Sequence, residues 1–432
     1  STLRPDFGST GVFNAASDQQ QVGVKITDVE RLYDKYLDAQ AVEQEQYGGY
    51  SQSQLGVLNN VQTIFNESTG NGLNSLLSQF WGAWSSLSAS PTDMTERDSL
   101  VSISQSLASM FNQKSNELIN TQQDLNTEIS DDVTQLNGYL AQMADYNNKI
   151  VQIQNSGGNP TDLLDKRTQL LQQISNLVGV NYYEEANGAL NVYISNGRSL
   201  VEGNNVWNLA VQANPSNSNF YDVVFQDTPS QTINSALKGG TIAGLLDARD
   251  TKISGYLSSL NTMASTIITQ VNALHNSGYD MNGNTGENFF STATSNAARD
   301  MKVDPAIVAD VTKIAAGATV SGDGNVASSI ADIQNNASLM GSGMTIDNFY
   351  ESLISRVGQD VQDAQTNSDH QTAVLNEVQN QREAVSGVSL DEEMLNLIKY
   401  QAAYNAAGRL CATANTMMDN LINLGIETAL TT

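Results

Sequence analysis

The residues able to do chemistry are few, and their spacing argues for caps and turns. Asp391, Glu392 and Glu393 form the densest carboxylate run, but an acid/base pair needs partners that nothing nearby supplies. Ser389 with Glu392 three residues on fits a capping box instead, and the acids favour the positive end of a helix dipole. The loop Asp280-Met281-Asn282-Gly283-Asn284-Thr285-Gly286-Glu287 is rich in oxygen ligands, as a calcium loop is. Its sixth position is Thr285 rather than glycine and its twelfth is Ser291 rather than glutamate, so tight turns are the better reading. Gly322-Asp323-Gly324 is likewise a turn, without a glycine fingerprint or a Walker loop. His275 and His370 are far apart and in no zinc-binding pattern. Cys411 has no base expected beside it and reads as a small packed residue. No catalytic, metal or cofactor residue is therefore expected. A pocket with convergent polar groups and a perturbed carboxylate would reopen the enzyme class.

Composition narrows the classes further. The 432 residues carry 46 acids and 20 bases, a net charge of −26. Such a surface repels nucleic acid and anionic membranes, so neither is expected as a partner. Apolar residues make up 40% and charged ones only 15%, leaving unusually many neutral polar positions. One cysteine forbids an intrachain disulfide. No apolar run is long enough to span a bilayer. Ser1 to Asp18 has neither the basic start nor the apolar core of a cleavable signal.

Helical periodicity begins with Val29, Leu32, Tyr36 and Ala39, which places a helix start near Thr27 or Asp28. Gly48-Gly49 is expected to interrupt it before a second helix through Leu55, Leu58, Val61 and Phe65. Leu73, Leu77, Phe80, Trp84 and Leu87 share one face of the next. Ser90 reads as an N-cap ahead of Pro91 and Asp93. A long helix follows, through Ile103, Leu107, Met110, Leu118, Leu125, Ile129, Val133, Leu136, Leu140 and Met143 to about Gln154. Asn159 caps another, ending near Leu177. From Val180 to about Gln231 the pattern is β, with hairpin turns at Asn187-Gly188 and Asn196-Gly197. Helices return over Thr241–Leu274, Val326–Ser338, Thr345–Ala384 and Leu390–Leu424.

The expected fold is mainly α with a β insertion: an elongated helical rod built from both chain ends, plus a small antiparallel β domain. Residues 1–178 form the first part of the rod and 179–238 the inserted domain. Residues 239–388 return to the rod, with a Gly/Asn-rich loop at 278–325, and 389–432 form a C-terminal assembly helix.

That last helix is the most informative element. Tyr400, Tyr404, Ala407, Cys411, Ala414, Met418 and Leu421 alternate by four and three, a coiled-coil seam. Leu390, Met394 and Leu397 extend it towards the start, and Leu410, Met417 and Leu424 widen it. Between Tyr400 and Ile426 only Arg409 and Asp419 are charged. In so acidic a chain, a helix this neutral is expected to be enclosed by protein.

Four colinear stretches resemble the flagellar hook-associated protein 1 family of hook–filament junction proteins. They are Gly23 to Asp34, Asn159-Pro160-Thr161-Asp162-Leu163-Leu164-Asp165-Lys166-Arg167, Asn272 to Phe290, and Val385 to Glu393 with Tyr400-Gln401 and Ala412 to Asn415. The resemblance implies a structural adaptor of the bacterial flagellum. It would be exported without a cleavable signal by the type III route and located outside the cell. Its partners would be hook protein, a filament-side junction protein, copies of itself in a ring, and an export chaperone on the C-terminal helix. Two departures are expected. The family's extreme N-terminal helix, usual partner of the Tyr400–Leu421 seam, has no counterpart here, and the outer domain some relatives insert between Phe290 and Val326 is missing. The rival readings are a secreted coiled-coil adhesin or effector that binds a host protein, and another axial protein of flagellin or hook type.

Overall fold

The computed structural model describes residues 2–9, 24–32, 34–66, 72–319, 322–341, 343–386 and 390–429, with side chains described within 34–66, 72–319, 322–341, 343–385 and 394–423. Strands β1 (Thr2–Ser9) and β2 (Val24–Leu32) pair antiparallel. This corrects the helix start expected near Thr27. Val24, Ile26, Thr27 and Val29 are β-branched, and so short an apolar run fits either period. Helix α1 (Lys35–Phe65) begins where the Asp34 carboxylate accepts from the N–H groups of Tyr36 (2.8 Å) and Leu37 (3.2 Å).

Helix α2 (Leu73–Ala89) buries Leu73, Leu77, Phe80, Trp84 and Leu87 completely, the face the sequence predicts. Ser90 closes α2 rather than opening the next helix. The N-cap of α3 (Met94–Asn155) is Asp93, whose carboxylate accepts from Thr95 N–H at 2.8 Å. With 62 residues, α3 is about 93 Å long and sets the length of the rod. Helix α4 (Thr161–Leu177) starts after Pro160, which replaces Asn159 as its cap residue. Gly48-Gly49 leaves α1 unbroken, a further correction. Gly49 is buried, and a Cβ there would lie 2.2 Å from the backbone oxygen of Asn176. The glycine serves close approach of α1 to the end of α4.

Two antiparallel sheets follow. The first has the order β3 (Asn181–Glu184), β4 (Leu190–Tyr193), β5 (Ser199–Glu202), β6 (Asn205–Val206). The second has β7 (Leu209–Ala213), β8 (Tyr221–Phe225), β9 (Thr228–Thr232). Gly188 and Gly197 sit at φ 85° and 84° in the two Asn-Gly turns, a conformation that favours glycine.

Helix α5 (Thr241–Asp247) then leads through a π-helical turn (Ala248–Ile253) into α6 (Ser254–Asn276). Short helices α7 (Ala297–Asp300), α8 (Pro305–Ala309) and α9 (Asn325–Ala331) cross the loop region. A 3-10 turn over Asp332–Asn335 ends α9 short of the expected Ser338. The last two helices are α10 (Ile346–Ser386) and α11 (Leu390–Ala429). Helix α10 lies antiparallel on α1. Arg382 pairs with Asp38 at 2.7 Å at one end, and Phe65 and Val357 line one cleft near the other. The rod is thus built from both arms of the chain around one continuous core.

Asparagine side chains, beside the ion pair of Arg167 on α4 with Glu184 on β3, fasten the sheets to the rod. Asn126, Asn137 and Asn147 lie about three turns apart on α3 and so share a face. Asn137 donates to Leu209 O (2.8 Å) and accepts from Leu209 N–H (2.9 Å) at the start of β7. Asn147 donates to Leu190 O and Gly203 O, both at 2.8 Å, and accepts from Leu190 N–H. Asn126 accepts from Tyr221 N–H at 2.7 Å on β8. An amide carries a donor and an acceptor on one planar group, so it extends a strand edge without burying charge. The same device recurs on α6, where Asn272 clamps Phe290 through both its N–H and its carbonyl.

Candidate assembly interface

Helix α11 leaves its apolar side uncovered. Met394 is 58% exposed, Tyr404 72%, Met418 64% and Leu421 68%. Leu397, Cys411 and Ala414 are exposed, and Tyr400 and Ala407 half-buried. Leu390 is helical, but its side chain and the Ser389 cap lie outside the described residues. The second row, Leu410 and Met417, is equally bare. Enclosure of this helix, expected from its neutrality, is not supplied by the described residues of its own chain. A stripe so apolar on a free helix is far from the solvated norm, and its heptad spacing matches what a neighbouring helix needs.

The other sequence candidates fold into turns and clamps. The Asp280 carboxylate is buried and accepts from the N–H groups of Asn282 and Asn284, each at 2.8 Å, as an Asx turn does. Asp323 accepts from the N–H groups of Ala318, Thr319 and Asn325, which hold its carboxyl down at about 2. His275 is fully buried beside Trp84 and Phe289. Its Nδ1 donates to Glu287 O, and its Nε2 accepts from Ala315 N–H at 2.9 Å, so the ring is neutral. Burial pushes its pKa down to about 4, with Arg97 adding to the effect and the Glu287 contact opposing it. Arg97 donates to Ile314 O at 2.8 Å, so the Ile314–Ala315 peptide is gripped from both sides. His370 sits on the exposed surface of α10.

Sequence reasoning missed Arg97, Arg249 and the asparagine clamps. Arg249, in the π-helical turn, is wholly buried; it pairs with Asp250 at 2.7 Å and also donates to Asn126 and Tyr221 O. Both arginines stand among carboxylates in the sequence, Arg97 between Glu96 and Asp98 and Arg249 between Asp247 and Asp250, so each reads as an ordinary solvated charge. An open groove of about 770 Å³ between α3 and α6 is walled by hydroxyls and amides, with Arg299 its charged group. The carboxyl pushed up to about 6, Asp132, is raised by burial and by Glu128 and Asp131; it lies outside that groove. Among the described residues no group of three or more His, Cys, Asp or Glu could hold a metal ion, and no helix is long and apolar enough to cross a membrane.

A long helical frame, a side-hung β module and an apolar helix that the described residues leave uncovered are the features of a structural protein. Residues 58–290 match the flagellar hook-associated protein FlgK helical domain, and residues 379–424 match the C-terminal domain of flagellar basal body rod FlgEFG proteins. The chain belongs to the flagellar hook-associated protein FlgK family, a family of structural flagellar components. It is 28% identical to flagellar hook-associated protein 1 of Bacillus subtilis, over 94% of this chain and 86% of that one. To its counterpart in Escherichia coli it is 24% identical, over 93% and 90%. The fold matches that of the flagellar hook junction protein FlgK from Burkholderia pseudomallei with a TM-score of 0.72 at 16% identity, over 81% of this chain and all of the other.

Proposed function

We propose that the protein is the adaptor joining hook to filament, and that it assembles by packing α11 against helices of neighbouring subunits. The observation carrying this reading is the charge-poor apolar stripe on a helix that the described residues of its own chain leave open. Met394, Leu397, Tyr400, Tyr404, Ala407, Cys411, Ala414, Met418 and Leu421 form the contact, with Leu390 at its start. Copies of the chain stand in a ring, with hook protein on one side and a filament-side junction protein on the other. Before assembly an export chaperone covers the same stripe, which keeps an apolar helix from associating early. The rod gives stiffness, and the acidic body keeps free subunits apart.

Burying an unpaired carboxylate costs several kcal/mol. Met418→Asp or Leu421→Asp in the complete protein therefore lowers its recovery in purified hook–filament junctions by more than about tenfold. Circular dichroism of the same variants retains the β module. Recovery at the level of the unaltered protein would overturn the assignment.

A further inference from the structure

Asn-Gly is a dipeptide able to modify itself. Glycine has no Cβ to shield its nitrogen, so that nitrogen can close on the side-chain amide carbon of the asparagine before it. Five such pairs occur, beginning at Asn71, Asn137, Asn187, Asn196 and Asn282, and Asn71 lies outside the described residues. Closure needs a backbone loose enough to bring the two atoms together. It also needs a donor on the amide oxygen, where negative charge develops, and an amide nitrogen free to leave.

The four described pairs meet these conditions unequally. Asn137 sits inside α3, where the helix fixes the backbone, and Leu209 holds both ends of its amide. Asn187 accepts from Ala189 N–H at 2.9 Å, but its nitrogen donates to Glu185 (2.9 Å), and Gly188 is buried with its carbonyl held by Arg167. Asn282 is exposed, yet its nitrogen donates to Thr312, and the Asp280 carboxylate accepts from its backbone N–H at 2.8 Å. That anion opposes loss of the glycine proton. Asn196 and Gly197 are both exposed at the tip of the β4–β5 hairpin, and an added Cβ at Gly197 would meet nothing within 4 Å. The Asn196 Oδ1 accepts from Arg198 N–H at 3.0 Å, while its Nδ2 has no hydrogen bond among the described residues. One turn bond, from Gly197 N–H to Ile194 O at 2.9 Å, has to open, and exposed tips open at least cost.

We propose that Asn196 is a site of spontaneous covalent modification, converted with time to aspartate and isoaspartate through a cyclic imide. Hydroxide takes the proton of Gly197 N–H, and the nitrogen bonds to Asn196 Cγ. The oxyanion formed on Oδ1 is stabilised by Arg198 N–H. The Cγ–Nδ2 bond then breaks, and Nδ2 leaves as ammonia with a proton from water, which restores the hydroxide. Water opens the imide at Cγ to give aspartate, or at the Asn196 carbonyl carbon to give isoaspartate, whose main chain runs through Cβ and Cγ. The sum is amide plus water to acid plus ammonia. An extra methylene in the main chain disrupts the bonds that close the turn, Ile194 N–H to Arg198 O (3.0 Å) and Gly197 N–H to Ile194 O. Ammonia is lost to solvent, so the converted fraction records the age of the chain.

The test incubates the full chain in mildly alkaline heavy-oxygen water, folded and, in parallel, in concentrated urea. Peptide mapping by mass spectrometry follows the labelled oxygen that each conversion adds, and an isoaspartyl methyltransferase counts the isoaspartate. In the folded chain Asn196 is expected to convert at least about tenfold faster than Asn137, Asn187 or Asn282. In urea the four rates should converge to within about threefold, because only the fold separates them. Hydrogen exchange across 194–201 should quicken as the folded chain ages, and stay constant in an equally aged Asn196→Gln chain. No labelled product at Asn196, a folded-state rate matched by any of the other three, or the same spread of rates in urea would each overturn the proposal. Failure here leaves the α11 reading untouched, because the hairpin shares no residue with it.

Discussion

At the scale of single residues, function is served by neutral groups in places where charge would be costly. His275 shows how this bears on stability. Its folded pKa of about 4 lies below the ordinary 6.5, so between those values the unfolded chain binds the extra proton. Stability contributed by the neutral ring is complete above about pH 6.5 and falls as pH drops towards 4, by ~3 kcal/mol. Urea titration at pH 7 and pH 4.5 measures the loss, and His275→Gln should flatten that dependence. Asp132 has the opposite sign. Its folded pKa is raised to about 6, and its Oδ2 is buried without a hydrogen-bond partner among the described residues. The ionised form is therefore a liability at neutral pH, relieved as pH falls through 6. Asp132→Asn is expected to raise the melting temperature at pH 7 by about 1–3 °C and to have little effect below pH 4. Neither environment was legible in the sequence, because burial of a single histidine or aspartate depends on which distant loop closes over it.

At the scale of elements, the helix register was readable where apolar spacing was long, as in α2 and α3. It failed where a local signal competed with tertiary contact. Gly48 and Gly49 look equivalent in sequence and sit side by side in α1, yet they face opposite fates. Gly48 has nothing within 4 Å of an added Cβ, whereas at Gly49 the backbone of Asn176 is 2.2 Å away. Gly48→Ala should stabilise by up to ~1 kcal/mol through helix propensity. Gly49→Ala gains the same propensity but forces α1 from α4, for a net loss of about 1–3 kcal/mol. Thermal melts of the two variants, opposite in sign, decide the point. The asparagine ladder on α3 was likewise invisible, since a solvated asparagine and a strand clamp are the same letter. Asn137→Ala strands both polar groups of Leu209 and should cost about 1–3 kcal/mol. Hydrogen exchange would place that loosening in β7 and β8 rather than along α3.

At the scale of the whole molecule, the rod and α11 are energetically separate. Among the described residues the only element packing appreciably on α11 is β2. Removal of residues 390–432 should therefore leave the melting temperature of the remainder within about 2 °C, while abolishing recovery in junctions. Differential scanning calorimetry of the shortened chain checks the first part. A large destabilisation would mean that α11 is an integral part of the folded subunit.

By themselves, the residues determined the helix-rich plan, the β segment between Val180 and Gln231, and the neutral heptad stripe from Tyr400 to Leu421. Those are periodic or compositional features, carried by local chemistry along the chain. Tertiary structure alone decided that Gly49 is a contact rather than a break, that Val24–Leu32 is a strand, and that Asn137 and Asn147 are clamps. Each depends on residues far apart in sequence meeting in space, where a 2–3 Å approach changes the sign of an energy.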